Sequence, residues 1–188
     1  MSACDLESSQ RYWLQRLRRH RRYLHVAGVR CGLRVVAGND QNEPWTVWVC
    51  PGYGVSGCGD EILLPHAVPV RVSDLVWTRL ADPYGGDTAW LAISFAEEPV
   101  ATVAVDESRC GCDDPVYRPS RIADAYRFRL LWSPPAGQQP GFEVCSDLTP
   151  PCPVCPETCD LVLAWIVLPQ SQDEPITDAM IHNLAYAA

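Results

Sequence analysis

The spacing of hydrophobic and polar residues divides the chain into one long helix followed by many short strands. Residues 6–25 place Trp13, Leu17 and Leu24 near one face of a predicted helix, with arginines around the other face. The segment 26–36 then alternates hydrophobic and polar positions, which predicts a half-buried strand. The pattern therefore predicts a long helix that leads directly into a β-rich region.

Short apolar or alternating segments continue along the rest of the chain. They predict strands at 45–50, just after Gly59, at 88–97 and 100–105 on either side of Pro99, at 125–132 and at 161–169. The run at 161–169 is apolar throughout, so we predict that this strand is central and buried. Two helical turns are predicted at 73–80, and a short helix is predicted from Thr177 to the end of the chain.

These elements predict a mainly β fold, sandwich or barrel-like, with a long N-terminal α-helix and a short C-terminal helix. The expected organisation is an arginine-rich helix over residues 1–26 and a β-rich domain with cysteine-rich loops over residues 27–188. A chain of 188 residues suits a domain of this size. The longest apolar run is too short to span a membrane, and the polar N-terminus does not resemble a secretory signal peptide.

The segment Gly52–Gly57, with the sequence GYGVSG, matches the glycine spacing of a dinucleotide-binding loop. Such a loop must open a helix, whose N-terminus binds the phosphates. Pro65 and Pro69 follow too closely for a long helix. The sequence therefore favours a hairpin shaped by glycines, with positive φ expected at Gly52 or Gly57.

Charge is distributed unevenly between the two parts of the chain. Residues 1–34 carry eight arginines and two acidic residues, a net charge of +6, whereas the remainder carries a net charge of −14. A solvated helix face is the plainest interpretation of the arginines. A more specific interpretation is that the arginines bind an anionic partner, and we expect this partner to be an acidic surface of another subunit.

Six of the ten cysteines lie in the second half of the chain, in spacings typical of metal ligands. A C-x-C pair and a C-P-x-C pair together supply four thiolates, which suit tetrahedral Zn²⁺. The predicted ligands are Cys110, Cys112, Cys152 and Cys155. Disulfides are the main alternative and an iron–sulfur cluster is a further one. Cys145 and Cys159 are further candidates as ligands or as disulfide partners. Cys31, Cys50 and Cys58 lie on or beside strands and are predicted to be small core residues.

Sequence motifs for catalysis are sparse. The four histidines are scattered, and Ser56 does not lie in a nucleophile elbow. We therefore expect no catalytic residues and no enzymatic activity. A zinc-stabilised module that binds nucleic acid or another anion through the arginine-rich helix is the alternative function, although the overall charge of −8 weighs against it.

Three segments together resemble a known group of proteins. They are RRYLHVAGVRCGLRVV at 21–36, VWVCPGYGVSGCGDEILLP at 47–65, and LVLAWIVLP followed by ITDAMIHN at 161–183. In combination they are similar to uncharacterised proteins that are encoded with contractile injection systems and phage-tail-like particles. The chain departs from that pattern at Val26, Ala27 and Ser56.

The resemblance implies a structural component of the particle, at the baseplate or at the attachment of tail fibres. Its expected partners are other particle subunits and further copies of itself, without a small-molecule substrate or a membrane. It implies assembly in the cytoplasm, followed in some systems by release as an extracellular particle or virion. It supplies no catalytic residues.

Overall fold

The computed structural model describes residues 3–25, 27–38, 42–77, 88–105, 116–133, 158–171 and 173–184. Within these ranges two α-helices and ten strands follow one another along the chain. They are α1 Ala3–Leu24, β1 Gly28–Gly32, β2 Val35–Ala37, β3 Thr46–Val49, β4 Gly52–Val55, β5 Glu61–Leu64, β6 Val68–Arg71, α2 Val72–Trp77, β7 Thr88–Val105, β8 Val116–Leu131, β9 Leu161–Val167 and β10 Ile181–Asn183.

The strands form three open antiparallel sheets in the described part of the chain. Their strand orders are β1-β4-β5, β2-β3-β6 and β10-β9-β7-β8. The prediction of a mainly β chain with a long N-terminal helix is confirmed. The finer prediction of a sandwich or barrel is not confirmed, because none of the three sheets closes on itself among the described strands.

Strand β9 lies at the centre of the hydrophobic core, as its apolar sequence predicts. It pairs with β7 on one side and with β10 on the other. Leu161, Leu163 and Ile166 are fully buried, together with Leu91 and Ile93 of β7. Continuous apolar sequence therefore coincides with a strand that is covered on both faces.

The predicted C-terminal helix is wrong. A single 3₁₀ turn at Asp178–Met180 leads into the short strand β10, which pairs with β9. Side chains explain the extended backbone: the backbone N–H of Val35 donates to Asn183 Oδ1 at 2.7 Å, and that of Ala37 donates to Asp178 Oδ1 at 2.8 Å. Contacts with β2, distant in sequence, override the local helical preference.

Pro99 does not separate two strands as predicted, because β7 is continuous from Thr88 to Val105. Only Thr88–Ile93 pairs with β9, and Pro99 lies beyond that point, opposite Ile122 of β8. A proline is tolerated in a strand that has an unpaired edge. Its position therefore marks the region where the four-stranded sheet has narrowed to two strands.

The glycine-rich segment forms a hairpin, as predicted. Gly52–Val55 is strand β4, which pairs with β5 and opens no helix. The turn between them lies at 56–60, and its positive φ, +85°, occurs at Gly59 rather than at the expected Gly52 or Gly57. Gly52 is required for a different reason, because an added Cβ would overlap the carbonyl oxygen of Cys31.

Candidate assembly surface

Helix α1 is fixed to the β region at the 56–60 turn. Arg18 Nε donates to Asp60 Oδ1 at 2.5 Å, and the Asp60 side chain is only 10% exposed. A Cβ at Gly59 would overlap the carbonyl oxygen of Arg18, so helix and turn are in backbone contact. Glycine at this position thus permits both the left-handed turn and the close approach of the helix.

A second ionic contact extends this attachment onto strand β5. Arg21 pairs with Glu61 at 2.7 Å, and the hydroxyl of Tyr53 donates to the same carboxylate at 2.9 Å. Partial burial, followed by the hydrogen bond to Glu61, raises the pKa of Tyr53 above its ordinary value. We expected the arginines of the helix to meet an acidic surface of another subunit; for Arg18 and Arg21 the acidic partners lie in the same chain.

A disulfide lies beside this attachment. Cys58 in the turn is bonded to Cys159, which precedes β9, and the bond closes a sequence separation of 101 residues. The prediction that Cys58 is a free core residue is therefore wrong. Cys31 is also not a core residue, because it is exposed, and Cys50 is half-buried. The bond joins the turn that holds α1 to the start of the central strand.

The same cluster contains the donor atoms of a potential metal site. The sulfurs of Cys58 and Cys159 and a carboxylate oxygen of Asp60 lie within 4.8 Å of one another. In the bonded form neither sulfur is a thiolate, and thiolates are the form in which cysteine binds Zn²⁺. These residues therefore fit a thiophilic metal only after reduction. The predicted zinc ligands lie outside the described residues; they are Cys110, Cys112, Cys152 and Cys155.

The attachment of α1 leaves its apolar side uncovered. Leu14, Arg18 and Arg21 are half-buried towards the β region. Trp13 is 54% exposed, and the other large hydrophobic residues that are exposed along the helix are Leu6, Tyr12, Leu17, Tyr23 and Leu24. Tryptophan, tyrosine and arginine are the residue types most enriched at the energetic centres of protein interfaces. The exposed surface of α1 therefore has the composition of an interface.

Strands β7 and β8 extend well beyond the sheet as a two-stranded ribbon. We define the arm as residues 97–105 of β7 with residues 116–124 of β8, which pair with each other along their length. Val100, Val103 and Ile122 are exposed on it, the last by 68%. Two-stranded ribbons are marginally stable in water by themselves, and exposed strand edges favour pairing with another chain. The arm is therefore a second surface suited to association.

An open cleft of about 720 Å³ lies between α1 and the arm. Gln10 lines it on the helix side, and the arm contributes Glu97, Pro99, Ser120, Arg121 and Ile122. Glu97 stands directly opposite Asp124 across the two strands, and like charges in such positions destabilise a sheet. The cleft thus combines the apolar Pro99 and Ile122 with the acidic Glu97, and Arg121 contributes a positive charge to the same lining.

None of the helices in the described ranges is long and apolar enough to cross a membrane. A comparison of the chain with known protein families found no match, and a comparison with curated proteins found none either.

Proposed function

We propose that this protein is a non-enzymatic structural component of a phage-tail-like or contractile injection particle, assembled in multiple copies through α1 and the β region. The observation that carries the proposal is the amount of uncovered apolar surface on two adjoining elements. Trp13 and Leu17 on α1, and Val103 and Ile122 on the arm, are all exposed. Large apolar side chains exposed on neighbouring elements support an interaction surface.

The class of particle rests on the resemblance of three sequence segments rather than on the geometry. Those segments correspond to structural parts of the chain: the junction of α1 with β1, the β3–β5 region, and β9 with β10. Their shared feature is that they build the core and the attachment of α1. This supports a common scaffold whose exposed helix and arm contact neighbouring subunits.

Assembly in the cytoplasm, followed by release of the particle into the medium, is compatible with reduced, zinc-binding cysteines in the cell and with disulfides after release. Disulfides persist in oxidising surroundings and are rare in a reducing cytosol. The Cys58–Cys159 bond therefore supports an oxidised, released form. Within the cell, one Zn²⁺ would add folding free energy by linking distant loops. Its proposed ligands are Cys110, Cys112, Cys152 and Cys155.

The proposal is tested by isolating tail-like particles from producing cells on a density gradient and assaying each fraction for this chain by mass spectrometry. We expect the chain to sediment with the particles at a fixed ratio to their other subunits. Ile122→Arg should reduce incorporation, because it places a charge on the exposed face of the arm, while Ile122→Val serves as the matched control. A chain found only in fractions that lack particles would refute the proposal.

A further inference from the structure

The uncovered side of α1 has the residue spacing of a coiled-coil seam. Residues that alternate at intervals of four and three line one side of a helix and form the contact with a second helix. In α1 these positions are all exposed, and they are Leu6, Gln10, Trp13, Leu17, His20 and Leu24. We call these six residues the seam. The ionic attachment through Arg18 and Arg21 lies on a different side of the helix and does not cover the seam, whose Gln10 faces the open cleft beside the arm.

We propose that a second copy of this chain occupies the seam, with the two α1 helices antiparallel. The inference rests on the proposed role in assembly and names one of its contacts. The order of apolar and polar residues along the seam is the same in both directions: apolar, polar, apolar, apolar, polar, apolar. An antiparallel copy therefore sets Gln10 beside His20 of the second copy, and Trp13 beside Leu17 of the second copy, in layers repeated by two-fold symmetry.

The distribution of charge selects the antiparallel arrangement over the parallel one. Five of the six arginines in α1 lie between residues 16 and 22. Asp60 and Glu61 already pair with Arg18 and Arg21. Parallel helices would still place Arg16 and Arg19 of one copy close to the arginines of the other, and like charges at the flanks of a coiled coil oppose pairing. The antiparallel arrangement sets residues 16–22 of one copy alongside residues 8–14 of the other. It moves Arg18, Arg19, Arg21 and Arg22 of the two copies apart and leaves only Arg16 near the two-fold axis.

This arrangement also brings positive charge to the acidic pair on the arm. Gln10, near the middle of residues 8–14, lines the same cleft as Glu97. The arginine-rich segment of the second copy therefore approaches Glu97 and its cross-strand neighbour Asp124. The exposed Ile122 lies on the same face of the arm, two residues along β8, and would be covered by the second helix. Helix seam, cleft and acidic pair thus fit a single occupant.

The test uses two variants of the full chain, Trp13→Arg and Leu17→Glu, with the oligomeric state measured by sedimentation velocity across a concentration series. The wild type should be dimeric at micromolar concentration. Each variant should dimerise roughly 100-fold or more weakly, because each disrupts two symmetry-related layers. Gln15→Glu, a charge change outside the seam on an exposed residue, should dimerise like the wild type.

Mixing the two variants distinguishes the orientation of the helices. In an antiparallel heterodimer, the arginine introduced at position 13 of one variant meets the glutamate introduced at position 17 of the other. The second layer keeps its native leucine and tryptophan, so the mixture should regain much of the lost affinity. A parallel pair offers no such compensation. A wild type that is monomeric, variants that dimerise normally, or a mixture that stays monomeric would overturn the inference.

Circular dichroism of each variant establishes that the fold is intact, which is expected because the substituted side chains are exposed. The outcome is separable from that of the proposed function. A monomeric chain that is still incorporated into particles would overturn the dimer alone. A dimer that is never found in particles would overturn the proposed function alone.

Discussion

Replacing Arg18 by alanine should weaken the fold far more than replacing its neighbour Arg19. Arg18 pairs with an Asp60 side chain that is 10% exposed, while Arg18 itself is 33% exposed. Exposed ion pairs contribute about 0–1 kcal/mol, whereas removing one partner of a fully buried pair costs about 3–5 kcal/mol. The intermediate burial of this pair places the expected loss at about 2 kcal/mol, since the Asp60 carboxylate would remain largely desolvated.

The measurement is urea unfolding of the oxidised protein, followed by circular dichroism, for Arg18→Ala, Asp60→Asn and the double variant. The double variant should lose about 1 kcal/mol less than the sum of the single losses, because the two side chains interact directly. Arg19→Ala is the matched control, since Arg19 is exposed one residue along α1, and it should change stability by no more than about 0.5 kcal/mol. Equal effects of the two alanine substitutions would refute the assignment of Arg18 as the residue that attaches α1.

Three further predictions concern the same region and the cysteines. Gly59→Ala should destabilise the protein by at least about 1–2 kcal/mol in thermal unfolding, because the φ of Gly59 is +85° and the added Cβ would contact the backbone of α1. The control Gly57→Ala, in the same turn, should destabilise the protein less. Protein purified under reducing conditions should contain roughly one zinc per chain by elemental analysis. Cys152→Ser should abolish this zinc content, and Cys58→Ser should leave it unchanged. The reverse result would move the metal site to the 56–60 turn. Binding to duplex DNA at physiological salt should be weak in a fluorescence anisotropy titration, because Arg18 and Arg21 are already paired with carboxylates; a steep salt dependence at nanomolar affinity would instead support a nucleic-acid-binding module.

Those elements that depend on local sequence were predictable. The arginine-rich helix, the central strand β9 and the hairpin of β4 and β5 each follow from periodicity or from an apolar run. The prediction of the hairpin also rested on Pro65 and Pro69, because two prolines exclude the helix that a phosphate-binding loop would need. In these cases a few neighbouring residues determine the backbone conformation.

The features that depend on distant residues were not predictable. Arg18 and Asp60 are 42 positions apart, and only the folded chain shows that they meet. The Cys58–Cys159 bond could not be chosen among the many pairings that ten cysteines allow. The strand β10 replaces a predicted helix because Asn183 bonds to the backbone of β2, a contact that no local pattern encodes.

The bond between Cys58 and Cys159 has a consequence for how the protein withstands proteolysis. It encloses the whole of residues 59–158 in one covalent ring. A single cut by a protease anywhere in that ring leaves both products joined, so the nicked protein would remain one covalent molecule until a reductant is added. The helix and β4 on one side, and β9 and β10 on the other, would stay tethered, and the long arm between them could be cleaved without separating the two ends of the chain.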